Sequence, residues 1–179
     1  SGSDKILKLM NRNHKVSKYL EVYKLIKQKN QHVEFSSDFI IGYPGEMDCD
    51  FQDTLNLVKE IKFINSYSFI YSPRPGTPAS KLNTVDIETS KERLTCIQSI
   101  LEDHQKTKNN SLLGSSIEVL VENKLENQNK YFGRNVFLNS VILEGEKKHI
   151  GKLVKVKIES ANRNTLFGKI EEKKNMRAA

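Results

Sequence analysis

The stretch that decides the fold runs from Val33 to Gly45 and reads VEFSSDFIIGYPG. Its first nine residues are rich in Val, Ile and Phe, which is typical of a β-strand. The glycines and the proline at 42–45 then indicate a turn at the end of that strand. A helix is expected next, because Asp48 and Asp50 suit a first helical turn and apolar residues recur at helical spacing. This apolar stripe comprises Phe51, Leu55, Val58 and Ile61.

The alternation of strand and helix continues on both sides of this stretch. Residues 67–71 predict a second strand, and three prolines stiffen the loop at residues 72–78 that follows it. A long helix is expected from about Asp86 to Lys108. Two helices are expected before the first strand, the second of them from about Ser17 to Lys29. This order of elements indicates parallel βα units.

From about Leu112 the apolar residues change from a helical period to a period of two. Residues 117–122 and 154–159 alternate in this way, and turn-rich segments separate four or five such strands. About 60 residues with this pattern predict a small antiparallel β-barrel. No internal repeat stands out. We therefore predict three parts, at residues 1–111, residues 112–172 and a polar tail at residues 173–179.

The composition bounds the partners of the protein. The chain carries 29 Lys and Arg residues against 22 Asp and Glu residues, a formal net charge of +7. Lys and Arg residues are concentrated in residues 144–179, and this positive charge suits binding to nucleic acid. A basic surface that is merely solvated fits the charge equally well. No stretch reaches the roughly 20 apolar residues of a membrane helix. Cys49 and Cys96 form no metal-ligand pair, and two isolated thiols without an export signal predict a cytoplasmic protein.

Two loops that follow predicted strands carry the residues best suited to ligand binding, since ligands collect at the carboxyl ends of parallel strands. Gly42–Glu46 offers a backbone that a ligand can approach closely. In the second loop Tyr71 could flank an adenine ring, and Arg74 could bind phosphate or carboxylate. Both loops could also be ordinary connections. Asp38 could form an acid–base pair with Glu46, and the four histidines show no ligand spacing.

Two βα units are too few to close a barrel, because a complete eight-stranded βα barrel needs roughly 250 residues. The first strand would be an edge of its sheet unless another strand covers it. We therefore expect the chain to start partway through a larger domain. A small independent α/β domain with a two-stranded sheet is the alternative.

Five segments taken together carry a family resemblance. They are Ser1-Gly2-Ser3 with Leu7-x-x-Met10-Asn11-Arg12, Ser37 to Glu46, Tyr67 to Ala79, Arg93-Leu94, and Gly133-Arg134 in the β-rich tail. This combination resembles the radical SAM methylthiotransferases, and the tail resembles a TRAM domain, a small OB-like barrel that binds tRNA. The most specific run, YSPRPGTPA at 71–79, is closest to members that act on N6-isopentenyladenosine of tRNA. The resemblance covers the chain to about residue 172.

The resemblance implies the carboxy-terminal part of a radical SAM barrel followed by the TRAM barrel. It implies a transferase that adds a methylthio group to C2 of N6-isopentenyladenosine beside the anticodon, with S-adenosylmethionine and 4Fe–4S clusters as cofactors. The residues that would face S-adenosylmethionine are Ser1, Gly2, Ser3, Arg12, Asp38, Gly42, Pro44, Gly45, Glu46, Tyr71, Ser72 and Pro73.

The implied partner of the tail is the anticodon loop of tRNA. The cations expected to contact its phosphates are Arg134, Lys152, Lys155, Lys157 and Lys169. Phe132, Phe137 or Phe167 could stack on single-stranded bases, while packing of these rings in the core is the favoured alternative.

The chain departs from the family pattern at its cysteines. The C-x-x-x-C-x-x-C run that holds the radical SAM cluster and the three further cysteines for a second cluster are absent, and Cys49 and Cys96 match no ligand position. Asp38 also replaces the first glycine of the G-x-I-x-G-x-x-E pattern, and Glu46 falls one residue late. The chain alone is therefore expected to be inactive. Alternatives are a non-catalytic tRNA-binding remnant, or one half of a split enzyme that needs a separate amino-terminal part.

Overall fold

A computed structural model describes residues 1–126 and 128–171. The backbone divides into two compact units, Ser1–His104 and a second that begins at Gln105. The polar tail predicted at residues 173–179 lies outside the described residues.

The first unit alternates helices with two strands, as the sequence predicts. In chain order its elements are α1 (Asp4–Leu9), α2 (Val16–Lys29), β1 (Asp38–Ile41), α3 (Asp48–Ile61), β2 (Tyr67–Ile70), a 3-10 turn (Pro78–Lys81) and α4 (Ile87–Ser111), which ends in the second unit. Strands β1 and β2 pair in parallel, with Asp38 opposite Tyr67. Among the described residues, no helix combines the length and the apolar character needed to cross a membrane.

Strand β1 is shorter than the nine-residue prediction. The backbone carbonyl of Phe35 accepts a hydrogen bond from the Ile64 N–H, and that of Ser37 accepts one from the Tyr67 N–H. These bonds tie residues 33–37 to the segment before β2 without a regular ladder. Only the last four residues of the predicted strand therefore pair as strand.

The core of the first unit forms between one face of the sheet and the helices. Phe39 and Ile41 of β1 are buried against the apolar stripe of α3, while Asp38 and Ile40 point to the opposite, exposed face. Helix α4 adds Ile97 to the same cluster. Each such side chain contributes roughly 1.5–3 kcal/mol when fully buried, so this packing fixes where the turn after β1 lies.

The second unit is a closed five-stranded barrel. Its strands are β3 (Ser116–Lys124), β4 (Lys130–Asn135), β5 (Ser140–Glu144), β6 (Leu153–Ala161) and β7 (Thr165–Ile170), with a 3-10 turn at Lys147–His149. They pair around the barrel in the order β3-β4-β5-β7-β6. The predicted antiparallel pairing holds for four contacts, but β5 and β7 pair in parallel. The long connection from β5 to β6 allows β7 to pair with β5. The alternation of apolar residues does not predict this strand order.

Hairpins β3–β4 and β6–β7 repeat one another, although no repeat stands out in the sequence. Each contains a bulge, between Val121 and Asn123 in the first and between Ile158 and Ser160 in the second. Each also contains a glycine opposite a backbone carbonyl. A Cβ on Gly133 would lie 2.4 Å from the Leu120 oxygen, and a Cβ on Gly168 would lie 2.3 Å from the Lys157 oxygen. Both hairpins therefore require glycine at the same place.

Candidate functional site

The turn after β1 lies at the carboxyl end of the parallel strands. Gly42 and Gly45 adopt positive φ angles of 70° and 84°, which non-glycine residues rarely adopt. Gly42 also has no room for a side chain, because a Cβ there would lie 2.3 Å from the Ser90 hydroxyl oxygen on α4. The turn therefore presents bare backbone, supported from below by the first half of α4.

Glu46 ties this turn to α4 through a buried ion pair. Its Oε1 accepts hydrogen bonds from the Gly42 N–H at 3.1 Å and from Arg93 Nη1 at 2.8 Å. The Glu46 side chain is 1% exposed and that of Arg93 is 8% exposed, while Asp48, which accepts from Arg93 Nη2 at 2.6 Å, is fully open to solvent. Burial raises the pKa of Glu46 and outweighs the opposing hydrogen bonds from Gly42 and Arg93. The turn is thus held by one buried carboxylate whose cation comes from 47 residues away.

A second polar cluster holds the start of the chain against α3. Ser3 Oγ donates to Asp50 Oδ1 and Lys5 Nζ donates to Asp50 Oδ2, each at 2.6 Å, and the Met47 N–H also donates to Oδ2. Burial raises the pKa of Asp50, but the hydrogen bonds from Lys5, Ser3 and Met47 lower it more. The Gly2 N–H donates to the Thr54 hydroxyl at 2.9 Å. Residues 1–3 are therefore anchored to α3 at the same end of the sheet.

Tyr71 stands beside the turn with an unsatisfied hydroxyl. Its N–H donates to the Ile41 carbonyl at 2.8 Å, which extends the β1–β2 pairing, and its ring meets Tyr43 edge-on at 4.9 Å between centroids. Its hydroxyl oxygen is buried and has no hydrogen-bond partner among the described residues. Buried polar atoms are normally paired, so this hydroxyl still has a hydrogen bond to make.

The structure brings most of the residues predicted to face S-adenosylmethionine to one end of the sheet. At the carboxyl end of β1 and β2 it brings together Gly42, Pro44, Gly45, Glu46 and Tyr71, with Ser72 and Pro73 exposed in the adjoining loop. Ser1, Gly2 and Ser3 lie at the same end, and their polar atoms bond to one another and to α3. Arg12 is exposed just after α1.

The suggested acid–base pair between Asp38 and Glu46 does not form. Asp38 opens β1 on its exposed face, whereas Glu46 follows the end of the strand and is buried on Gly42 and Arg93. Four strand residues separate the two sites, a distance of roughly 13 Å. Asp48 and Asp50 lie in the first turn of α3, as the helix reading expects.

The sequence does not predict the side chains that hold the site in place. Arg93 is part of a motif match without a predicted contact, and no role is predicted for Ser90 or Lys5. The three side chains reach their partners, in the turn after β1 or the first turn of α3, from positions 45 to 48 residues away along the chain. A lone arginine on an otherwise ordinary helix carries no local signal of its partner.

The described residues offer no set of ligands for a metal cluster. They contain no group of three His, Cys, Asp or Glu side chains that could hold an ion. Cys49 and Cys96 are both exposed and unpaired with each other. A 4Fe–4S cluster, which takes cysteine thiolates, therefore does not fit the residues of this chain.

The cations predicted to contact phosphate lie on or beside three strands of the barrel. Lys155 and Lys157 point outward from β6, and Lys169 of β7 is the register partner of Lys157. Arg134 points outward from β4, and Lys152 precedes β6 in an exposed position. The barrel thus carries all five cations on its outer surface.

The phenylalanines of the barrel lie outside its core. Phe132 and Phe167 are half-buried on the outward face, because their strand neighbours on both sides point inward. Phe137 lies beneath the Lys108 ammonium, 4.2 Å from its ring centre. The favoured expectation that these rings pack in the core is wrong, since the core is filled by Val, Leu, Ile and Tyr131.

Two family models match the chain in agreement with its two units. The Radical SAM superfamily model matches residues 1–58, and the TRAM domain model matches residues 110–170. The fold and the loop at the end of its parallel strands therefore define a radical SAM segment joined to a TRAM barrel.

Curated relatives make the assignment more specific. A tRNA-2-methylthio-N(6)-dimethylallyladenosine synthase of Pelagibacter ubique is 52% identical over 100% of this chain and 40% of its own length. Proteins of the same name from Rickettsia akari and Wolbachia pipientis are 41% and 40% identical over 95% and 94% of this chain, and 39% of each. The chain belongs to this radical SAM methylthiotransferase family. It spans about two fifths of the length of these relatives and corresponds to their carboxy-terminal part.

Proposed function

We propose that this chain provides the cofactor-facing loops and the RNA-binding barrel of a tRNA methylthiotransferase. The reaction would add a methylthio group to C2 of N6-isopentenyladenosine next to the anticodon, in the cytoplasm. The observation that carries the proposal is the bare, buttressed turn of Gly42–Glu46 beside Tyr71, on a chain that continues into a basic TRAM barrel.

The residues of the first unit fit S-adenosylmethionine. Gly45 is exposed and leaves its backbone open to a ligand, whereas the Gly42 N–H is already bonded to Glu46. The Tyr71 hydroxyl, which has no partner among the described residues, offers one more hydrogen bond. The Tyr71 ring is placed to flank the adenine, and Ser72 and Pro73 would border it. Glu46 and Arg93 would act indirectly, because both are buried and hold the turn in its shape.

Radical chemistry in this family is supplied by S-adenosylmethionine together with iron–sulfur clusters. The described residues contain no group of side chains that could hold a cluster. The chain's own contribution would be to orient S-adenosylmethionine and to hold the RNA. We propose that the chain alone is inactive and needs the part of the enzyme that carries the cluster cysteines.

The barrel would bind tRNA mainly through its phosphates. Arg134, Lys152, Lys155, Lys157 and Lys169 all lie on its outer surface, which suits contacts that position the RNA without reading its sequence. Such contacts make binding weaken steeply as salt rises.

A non-catalytic tRNA-binding role is the second candidate. It is favoured by the closed barrel with a core of its own, together with the missing cluster ligands among the described residues. This role would require RNA binding without any modification of the bound base.

The test is mass spectrometry of tRNA nucleosides from cells that lack their own methylthiotransferase. One strain expresses this chain alone, and another also expresses the amino-terminal three fifths of the Pelagibacter relative. We expect 2-methylthio-N6-isopentenyladenosine only in the second strain. Its absence from both strains, with both polypeptides present and soluble, would favour the non-catalytic role. Its presence in the first would overturn the proposed dependence on a second part.

A further inference from the structure

The outer surface of β4, β5 and β7 forms a regular grid of side chains. Registers across these adjacent strands align three rows. One row is Arg134, Ser140 and Thr165; the middle row is Phe132, Ile142 and Phe167; the last row is Lys130, Glu144 and Lys169. We call this nine-residue surface the β4–β5–β7 face.

The middle row is apolar and only half-buried. Phe132 and Phe167 flank Ile142, one on each neighbouring strand. Strands lie about 4.8 Å apart, so the two rings are separated by roughly 10 Å. Two aromatic rings exposed on a sheet surface are the usual means by which proteins stack single-stranded bases.

Cations stand at opposite corners of this face, each paired with a glutamate. Arg134 Nε lies 3.3 Å from Glu122 Oε1, and Lys169 Nζ lies 3.3 Å from Glu159 Oε1. All four side chains are between 37% and 56% exposed. Exposed pairs of this kind contribute little stability, so an arriving phosphate can replace either carboxylate.

The two corners are equivalent because the barrel is built from two similar hairpins. Both glutamates occupy the bulge positions of β3 and β6, and both cations follow a Phe-Gly pair. Strands β3 and β6 meet symmetrically as well, with Ile117 opposite Val156 and Val119 opposite Val154. The barrel thus presents the same phenylalanine, cation and glutamate twice, related by a pseudo-twofold axis.

We propose that the β4–β5–β7 face is a platform for single-stranded RNA. Phe132 and Phe167 stack two bases, and Glu122 and Glu159 compete with the phosphates on either side. Lys169 takes one of these phosphates. Arg134 takes the other and moves off the Phe132 ring, over which its guanidinium lies at 5.4 Å from the ring centre. Lys130 offsets the charge of Glu144, so the nine residues of the face are net positive through Arg134 and Lys169. Glu122 and Glu159 balance these two cations until phosphates replace them. The inference rests on the proposed RNA-binding function and names the part of the barrel and the form of RNA.

The face suits a single strand better than a duplex. A duplex keeps its bases stacked on each other and offers phosphates only, whereas a single strand can lay its bases on the two rings. The cations lie at the margins of the apolar row, where a backbone passing over stacked bases would run.

Fluorescence anisotropy with the full chain tests the stacking. The probes are a labelled short oligoadenylate and a labelled RNA duplex of equal length. We expect Phe132→Leu and Phe167→Leu each to weaken oligoadenylate binding by roughly fivefold to a hundredfold and to change duplex binding by less than twofold. Phe137→Leu is the matched control, since that ring lies outside the β4–β5–β7 face and contacts Lys108.

The competing carboxylates give a test of opposite sign, which misfolding cannot imitate. Glu122→Gln and Glu159→Gln should each tighten oligoadenylate binding by roughly twofold to fivefold. Glu122→Gln should have no such effect in an Arg134→Gln background. Glu118→Gln, on β3 outside the face, is the charge-matched control and should change binding less. Arg134→Gln and Lys169→Gln should each reduce the salt slope by about 0.7.

The outcomes separate this inference from the function on which it rests. If the unaltered chain binds neither probe nor tRNA, the proposed RNA-binding function fails. If it binds tRNA, and Lys155→Gln weakens that binding while both Phe→Leu variants and both Glu→Gln variants leave it unchanged, RNA binding stands and the platform is refuted. An effect at only one of the two hairpins would refute the twofold equivalence.

Discussion

Removing Arg93 should destabilise the first unit more than any surface change. In Arg93→Met the Glu46 carboxylate, 1% exposed, keeps only the hydrogen bond from Gly42 among the residues that the structure describes. Breaking a buried pair in this way costs about 3–5 kcal/mol, because the remaining charge has no partner. The lost contact with Asp48 adds little, since that side chain is 98% exposed. We therefore expect a loss of about 3 kcal/mol, or more than 10 °C in Tm for a domain of this size.

The pH dependence of the same variant identifies the cause. Burial already raises the pKa of Glu46, and removal of Arg93 raises it further. A carboxyl whose folded pKa lies above its unfolded pKa holds its proton more tightly when folded. The folded state therefore loses stability as pH rises through the interval between the two values. The penalty of Arg93→Met should be smaller in mild acid than at neutral pH.

The assay is urea unfolding of the full chain at several pH values, followed by the helical circular dichroism signal. The helices lie mainly in the first unit, so this signal separates it from the barrel. Arg93→Met combined with Glu46→Gln should recover part of the loss, since no buried charge then remains. A loss below 1 kcal/mol, or a loss independent of pH with no recovery in the double variant, would refute the reasoning.

Three further predictions concern stability. Gly133→Ala and Gly168→Ala should each lower the free energy of unfolding of the barrel by at least about 2 kcal/mol, and by similar amounts, because their Cβ atoms would meet carbonyl oxygens; calorimetry would measure both. Asn109→Ala should cost about 1–3 kcal/mol in thermal unfolding, since its buried amide donates to the Asn162 carbonyl at 3.0 Å. Burial lowers the pKa of His104, so the stability it contributes should be complete above the unfolded pKa and fall as pH drops below it, as unfolding between pH 5 and pH 8 would reveal.

The repeating elements of the fold follow from local patterns. The apolar period of α3, the turn after β1 and the change to a period of two near Leu112 each reflect interactions between residues that are close in sequence. The parallel pairing of β5 with β7 does not, because it depends on how a long connection crosses the barrel. The alternation of apolar residues along a strand indicates which face is buried, but it does not indicate which strand pairs with it.

The candidate site likewise contains residues that the sequence predicts and residues that it does not. The glycines at 42 and 45 could be identified from sequence, since a turn after a strand needs positive φ angles. Arg93 could not, because its partner Glu46 is far along the chain. The repeated hairpins were missed because they share a pattern of apolar, glycine and charged positions, and few identical residues outside Phe132-Gly133 and Phe167-Gly168.

The symmetric meeting of β3 and β6 resembles the contact between the subunits of a homodimer. In an isologous interface residue i of one subunit contacts residue j of the other, and j contacts i. Here Ile117 pairs with Val156, the equivalent of Val119, and Val119 pairs with Val154, the equivalent of Ile117. The two hairpins of the barrel are therefore arranged like two symmetric subunits fused into one chain. A substitution at one repeat can be compared with the same substitution at the other, within one molecule and under identical conditions.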